Sequence, residues 1–579
     1  MKSKKTLLVL LLVSCAVYAN SFFSGFVWSD RSLIVNKQEF FHHARNALVI
    51  LASPDMALGD EHTTPYYRPL NTLTYMLDSR LWGVDPFWYH LENVLLHALV
   101  TLLFYLLLME VFEDGRLAFF SAFMFAVYPV NAEAVNAVFN RNALLCALFS
   151  MACLICLKKG GNKWTIFSLL FYSLALLSKE PAVVLPFFLL SFGFARGLKR
   201  EIMANKGAVA GFFLITVAYF MIRRLVLGAF TSKAGLSLSP GRLELISSVY
   251  FEHFRLMFFP FKLNADYTVG RLSFGWVKAA AAVLGIVLLF YFSLAKKTSG
   301  AVRAGAQWIF WGLLPVSNII KIPSAPVAEK YQYMIIPGFC LILGYIVSVL
   351  HKKNAAAGTV VLAALALGLG ARTFERNFVW KNDKSLYSSM ISADPENAVA
   401  RCNLGSIYAE HGDVGDAMHE LEKALSLNPR LAKAWMDMGV IYSAHGRLSD
   451  SERQLKTAIA IDPGLAEARL DLAVTYDKEG RLTDSVKQLK TALAIYPGFS
   501  EAHLDLGIAY QEEGRMDEAI KEFRTAAGLD PGLIKAHLLL GTCYQKEGLF
   551  EEAASEFQYV LKLDPGNTQA VNGLAQAGR

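Results

Sequence analysis

Apolar residues run in long blocks through the first two thirds of the chain and in short, phased groups through the last third, with the change near residue 373. A helix needs about 20 apolar residues to cross about 30 Å of hydrocarbon. About eleven runs meet that need, centred near Leu12, Leu102, Phe123, Leu148, Leu170, Phe188, Leu214, Val287, Leu313, Leu343 and Leu365. The stretch Leu243–Phe261 holds Glu244, Glu252, His253 and Arg255 and reads as interfacial or re-entrant. A polar insert, residues 28–87, separates the first two runs and carries an amphipathic stretch over Gln38–Leu51.

Past residue 373 the punctuation locks to a period of 34. Prolines fall at Pro395, Pro429, Pro463, Pro497, Pro531 and Pro565. Tyr408, Tyr442, Tyr476, Tyr510 and Tyr544 keep the same step, as do Gly412, Gly446, Gly480, Gly514 and Gly548. Each unit predicts two helices; in the third, Ala466–Tyr476 forms the first, Gly480 the turn, and Ser485–Ala492 lies on the second. Small residues at Gly405, Gly439, Ala473, Gly507 and Gly541 let the paired helices approach. Five such units in phase resemble tetratricopeptide repeats, which stack into a superhelix whose concave groove holds a partner. The resemblance places Asn403, Asp437, Asp471 and Asp505 along that groove. As an acidic ladder they favour a basic or amide-rich peptide; the alternative is a solvated helix face. The expected fold is all-α: a polytopic membrane bundle over 1–372, a connecting segment and leading helix over 373–397, five repeats over 398–567 and a capping helix over 568–579.

At 54% hydrophobic, the chain is too apolar for one soluble domain. The net charge of +7 does not point to nucleic acid, because the basic residues sit in short clusters between apolar runs. These are Lys2, Lys4 and Lys5; Lys158, Lys159 and Lys163; Arg196, Lys199 and Arg200; Lys296 and Lys297; and Lys352 and Lys353. Such clusters mark cytoplasmic loops. All then fall on the side of the N-terminus, and an odd number of spans puts the repeats on the opposite face. A bacterial inner membrane with periplasmic repeats is the placement this predicts. The N-terminus keeps three readings: a signal peptide ending near Val17 and Ala19, a lipoprotein signal with Cys15 lipidated, or an uncleaved first helix, favoured because apolar character continues to Trp28. Cys153 and Cys156 form a C-x-x-C without a partner pair or His, which favours packing over zinc or redox chemistry. Cys402 and Cys543 lie too far apart along a solenoid to be bridged.

Polar groups inside a membrane are costly unless paired or hydrated, so those at external helix ends carry the chemical interest. They are Asp30 and Arg31 after the first run, Arg68, the group His90, Glu92, Asn93 and His97, Glu133, Asn140 and Arg141, Lys179 and Glu180, and Glu329, Lys330, Tyr331 and Tyr333. His90, Asn93 and His97 share a helical face. No carboxylate at ligand spacing completes a metal site there, and interhelical polar contacts are the alternative.

The fragments FVWSDRSLIVN, YYRPLNTLTYMLDSRLWGVDPFWYHLENVLLHAL, FAVYPVNAEAVNAVFNRNALLCALF, SKEPAVVLP, LLPVSN and EKYQYMIIPGF, followed by the repeats, give the chain a resemblance over nearly its whole length. It resembles the TMTC-like, tetratricopeptide-containing membrane glycosyltransferases and their bacterial relatives, which have the GT-C fold. The resemblance implies transfer of a sugar from a polyprenyl-phosphate carrier to an acceptor on the external side, such as a protein hydroxyl. It gives Asp30 the role of catalytic base and makes Glu133 a second acid that positions acceptor or base. Arg31, Arg68, His90, Arg141, Lys179, Lys330 and Tyr331 are the candidates for holding the carrier phosphate or the sugar, with Tyr331 and Tyr333 otherwise interfacial aromatics. The implied partners are membrane lipid, the lipid-linked sugar and a protein or peptide in the groove. No further cofactor is predicted, and a divalent metal lacks a visible ligand set. The chain departs from the resemblance where Ser29 precedes Asp30 in place of a second acid, where Asn131 and Ala132 replace His and Thr, and where Lys330 replaces Arg. Two other readings compete: a non-catalytic membrane scaffold for envelope assembly, and a lipid-linked polysaccharide ligase or polymerase.

Overall fold

The structure, a computed structural model, describes residues 4–54, 66–192, 206–228, 240–267, 275–319 and 325–577. The cluster of Arg196, Lys199 and Arg200 lies outside the described residues. Two compact units divide the chain, Met1–Ala393 and Asp394–Arg579. Among the described residues every regular element is helical, and one isolated bridge joins Tyr267 to Val327.

In the first unit, each of the apolar centres read from the sequence falls within a helix. Among the described residues six helices are long and apolar enough to cross a membrane: Pro86–Phe112, Val138–Lys159, Gly207–Leu227, Trp276–Leu294, Ile336–Lys353 and Ala355–Trp380. A seventh crossing is available if Gly115–Ala126 and Pro129–Asn136, bent by 51° at Val127–Tyr128, act as one span. Pro129 explains that break, since proline disfavours helix in the residue before it. The first helix, Lys4–Val17, buries Leu10 and Ser14. Helices come close where side chains are absent: a Cβ on Gly305 would meet the Gly338 carbonyl at 2.6 Å.

The described residues of the polar insert between the first two apolar runs fold into helices. The Gln38–Leu51 stretch forms two short helices, Gln38–His42 and Asn46–Ala52, and Pro69–Trp82 follows. Phe26, Ile34, Phe41, Ile50, Tyr75, Met76, Tyr89 and Val138 form a small core beneath it. That core seats the loop on the entry to Pro86–Phe112, which gives residues 26–34 a fixed position.

In the second unit, ten helices pair as five hairpins from Ala398–Glu410 with Val414–Leu427 to Ile534–Lys546 with Phe550–Leu563, and Thr568–Ala577 ends the array. Each turn glycine has φ between +71° and +82°, a conformation that only glycine adopts without strain. The repeated tyrosines accept at their carbonyls from the residue after that glycine, as in Arg447 N–H to Tyr442 at 2.9 Å. Arg447, Arg481 and Arg515 then lie over the rings of Tyr442, Tyr476 and Tyr510 at 4.4, 4.0 and 4.1 Å. A Cβ on Gly507 would stand 2.6 Å from the Phe523 ring, so the small positions do mark close helix contact.

Candidate active site

Asp30 sits on the short helix Ser29–Leu33 and is fully buried. Its Oδ1 accepts the Phe139 N–H at 2.6 Å and its Oδ2 the Val27 N–H at 3.1 Å. Burial pushes the carboxyl up to about 7, against the pull of these backbone bonds. The Trp28 and Phe139 rings meet edge to face at 5.9 Å beside it.

Phe139 leads to the next group. The Lys330 Nζ lies 5.1 Å from its ring centroid and 3.5 Å from Glu133 Oε1. Glu133 is fully buried and also accepts the Lys330 backbone N–H at 2.8 Å. Glu329 beside it pairs with Arg376 at 2.9 Å and accepts from the Tyr267 hydroxyl at 3.4 Å. Burial raises its carboxyl to about 7, and the Glu133 charge adds to the rise.

A cationic cluster adjoins. Lys179 lies 5.9 Å from the Tyr331 ring. Burial, with the charges of Arg68 and Lys330, brings its ammonium down to about 7. Glu180 is held by Arg68 at 2.8 Å and by Arg223 at 3.1 Å, and these cations draw its carboxyl down to about 2. Four cationic side chains thus face two carboxylates, Glu133 and Glu180.

The other candidates have partners of their own. Arg141 is buried between Asp78, which it pairs with directly, and Glu92 at 3.3 Å. Its Nε donates to Asn93 at 2.8 Å. His90 donates through Nε2 to the Gly25 carbonyl at 3.3 Å. His97 meets the Tyr333 hydroxyl at 2.8 Å and the Ala126 carbonyl at 3.2 Å. The three residues of that helical face therefore make contacts between elements. Arg31 pairs with Asp383 at 3.3 Å, two thirds exposed. Sequence reasoning passed over Arg223, Asp78, Arg376 and Asp383. For Arg223 a signal existed: on the sequence topology the Arg223-Arg224 pair ends a span on the external side, against the charge rule.

An apolar cavity of about 580 Å³ opens between the Pro240–Phe258, Trp276–Leu294, Gly300–Leu313 and Ile336–Lys353 helices. Phe254, Phe258, Leu284, Leu288 and Phe339 line it together with Arg255. Arg255 interacts with Tyr267, which donates to Glu329. The cavity is thereby linked to the Glu329–Lys330 group.

In the repeats, Asp437 accepts from the Ser406 hydroxyl at 2.5 Å, and Asn403 from Lys433 at 2.8 Å. Asp471 has Asp437, Glu467 and Asp505 as its charged neighbours, and burial with their repulsion lifts its carboxyl to about 7. Burial likewise lifts Asp505 to about 6. The ladder is thus half-buried and starved of cations at its centre.

Residues 70–222 match the family described as dolichyl-phosphate-mannose-protein mannosyltransferase, a region that holds Glu133, Arg141, Lys179 and Glu180. Residues 402–466, 470–534 and 534–567 match tetratricopeptide repeats. The chain is 29% identical over 447 residues to the protein O-mannosyl-transferase F38B6.6 of Caenorhabditis elegans, covering 73% of this chain and 63% of that protein. It is 25% identical over 449 residues to the mouse protein O-mannosyl-transferase TMTC3, covering 69% of this chain and 48% of that protein. The chain thus spans about half to two thirds of the length of these relatives. Among solved structures, the tetratricopeptide protein YrrB is 20% identical with a TM-score of 0.27, covering 32% of this chain and 96% of its own. In joining a segment that matches the mannosyltransferase family to phased repeats that match the tetratricopeptide family, the chain is similar to the TMTC-type protein O-mannosyl-transferases.

Proposed function

We propose that the chain is an integral-membrane glycosyltransferase that moves a sugar from a polyprenyl-phosphate carrier to an acceptor hydroxyl on the external face. The repeats hold the acceptor or a partner protein. The observation that carries this reading is the excess of cationic groups around Lys179 and Lys330, one aromatic ring away from a buried carboxylate. The names of the relatives point to mannose as the sugar and protein hydroxyls as the acceptor.

In the proposed transfer, Asp30 takes the proton of the acceptor hydroxyl as its oxygen attacks the anomeric carbon. The bond from that carbon to the phosphate oxygen breaks, and the electron pair leaves with the polyprenyl phosphate. Arg68, Lys179, Lys330 and Arg223 meet the charge that develops there. Glu133 and Glu180 hold the cations in place, the apolar cavity takes the isoprenoid chain, and Trp28 and Phe139 offer the sugar an aromatic surface. Membranes enriched in the chain, given labelled polyprenyl-phosphate mannose and a Ser/Thr peptide, are expected to label the peptide. Labelling no higher than in membranes lacking the chain, with any lipid-linked sugar, sinks the reading.

Lys179 gives this site a pH signature. With its ammonium brought down to about 7, it is charged below that pH and neutral above it. Carrier phosphate favours the charged form, so KM for the carrier is expected to rise as pH increases through 7. In Lys179→Gln the same KM should be raised at low pH and flat across that range.

The basic clusters support a cytoplasmic N-terminus and periplasmic repeats in a bacterial inner membrane. A cysteine introduced at an exposed position of the repeats is then expected to react with an impermeant reagent added to spheroplasts; protection until lysis would reverse the orientation.

For the groove, a Lys-rich peptide is the expected ligand of Asp437, Asp471 and Asp505. Affinity should strengthen as pH rises through about 6 and then about 7, where Asp505 and Asp471 ionise. Asp471→Asn is expected to weaken it about tenfold, the size of one charge-assisted hydrogen bond. Titration of wild type and variant by calorimetry at two pH values checks both.

A further inference from the structure

The loop that carries Asp30 is tied down by the last segment of the same unit. Asp383, at the first turn of the Asp383–Ala393 helix, accepts the Trp28 N–H at 2.7 Å through Oδ1. Its Oδ2 meets the Arg31 guanidinium at 3.3 Å. One carboxylate thus grips the residues on both sides of Ser29-Asp30. Nearby bonds run the same way: the Gly25 N–H reaches the Lys381 carbonyl at 2.9 Å, and the Asn377 amide donates to the Val17 carbonyl at 2.9 Å.

Trp28 is held at φ +52°, ψ −123°. A residue with a side chain rarely adopts that backbone, and it persists only where the surroundings fix it. The turn it makes points Asp30 inward, onto the N–H groups of Val27 and Phe139. The Trp28 N–H finds its acceptor in Asp383, and loss of that carboxylate removes one of the bonds that hold the turn, beside the Val27 N–H to Asp30 bond and the Trp28–Phe139 contact.

We infer that Asp383 is a positioning residue for Asp30, fixing the Trp28 turn that presents it and acting on its proton through charge. The role in catalysis rests on the transferase reading; the geometric role does not. The charged and titratable groups facing Asp30 are Asp383 and Arg31 at its entrance, the Lys330–Glu133 pair beyond Phe139, and His90 at the Gly25 carbonyl. Of these, Asp383 pushes the Asp30 carboxyl upward, in addition to the larger effect of burial.

Two substitutions separate the two parts of the role. Asp383→Asn keeps an oxygen for the Trp28 N–H and removes the charge. Asp383→Ala removes both. The carboxylic-acid infrared band of Asp30, isolated by subtracting the spectrum of the matching Asp30→Asn protein, reports its protonation without turnover. In Asp383→Asn the midpoint of that band is expected to move down by about half a unit or more. With polyprenyl-phosphate mannose and a Ser/Thr peptide, the acid limb of the rate profile should move down with it, while KM for the carrier stays unchanged. In Asp383→Ala, kcat is expected to fall at least about tenfold, since small misplacements of a reacting group cost that much or more, and Asp383→Glu should restore part of it. An Asp30 band that titrates alike in wild type and Asp383→Asn overturns the inference, even where wild type transfers sugar. A shifted band in a protein that transfers no sugar upholds it and overturns the transferase reading instead.

Discussion

Asp30→Asn is expected to lower sugar transfer by about 10²–10⁴-fold, the usual worth of a positioned general base, with the protein still present in the membrane at the wild-type level. Asp30 is fully buried and anchored by two backbone N–H groups. Its carboxyl, pushed to about 7 by that burial, is therefore matched to proton transfer near neutral pH. Only the ionised form accepts a proton, so the wild-type rate should climb as pH rises through about 7. The check compares envelope glycans and glycoproteins among wild type, a deletion and Asp30→Asn at matched membrane levels. Loss of the same sugar in both mutants places Asp30 in the active site. A deletion that alters the envelope, beside an Asp30→Asn strain that behaves as wild type, transfers the case to a non-catalytic scaffold.

Legibility in the sequence follows the range of the interactions. The repeats were readable because each tyrosine, glycine and proline recurs at the step that its own contact requires. Gly507 must be small because Phe523 sits against it, and that contact repeats as Gly541 on Phe557. Apolar runs were readable because lipid imposes a length. Charge pairing inside the membrane unit obeys no such period. Glu180 finds Arg68 across 112 positions and Arg223 across 43. Asp383 finds Trp28 across 355. Composition shows that such charges exist and must be paired, because leaving them alone in a low dielectric is costly, but packing alone selects the partner. So the sequence gives only an expectation that Lys179 and Lys330 share one face of the membrane, whereas the cluster they form with Arg223 has no signature in it.

Arg141 shows the same divide and carries the largest expected effect on stability. Arg141→Met is expected to destabilise the membrane unit by about 3–5 kcal/mol, the cost of removing one partner from a buried ion pair. Arg141 is 1% exposed and Asp78 3%. The guanidinium also contacts Glu92, Asn93 and the Tyr89 carbonyl, and lies 5.3 Å from the Tyr75 ring. Without it, the buried Asp78 is left beside the half-buried Glu92 with no guanidinium between them. The loss should appear as a lower melting temperature in detergent and a lower steady-state level in membranes. Adding Asp78→Asn to Arg141→Met removes the stranded charge and is expected to recover part of the loss, a coupling that a double-mutant cycle measures. Arg141→Lys keeps the charge but not the fork that reaches Asp78, Glu92 and Asn93 together, and should fall between. Were Arg141→Met instead to melt as wild type while raising KM for the carrier, the guanidinium would be a ligand of the carrier phosphate, as the resemblance in sequence implies. The geometry favours the other outcome, because each of the three guanidinium nitrogens already donates to an acceptor within the protein.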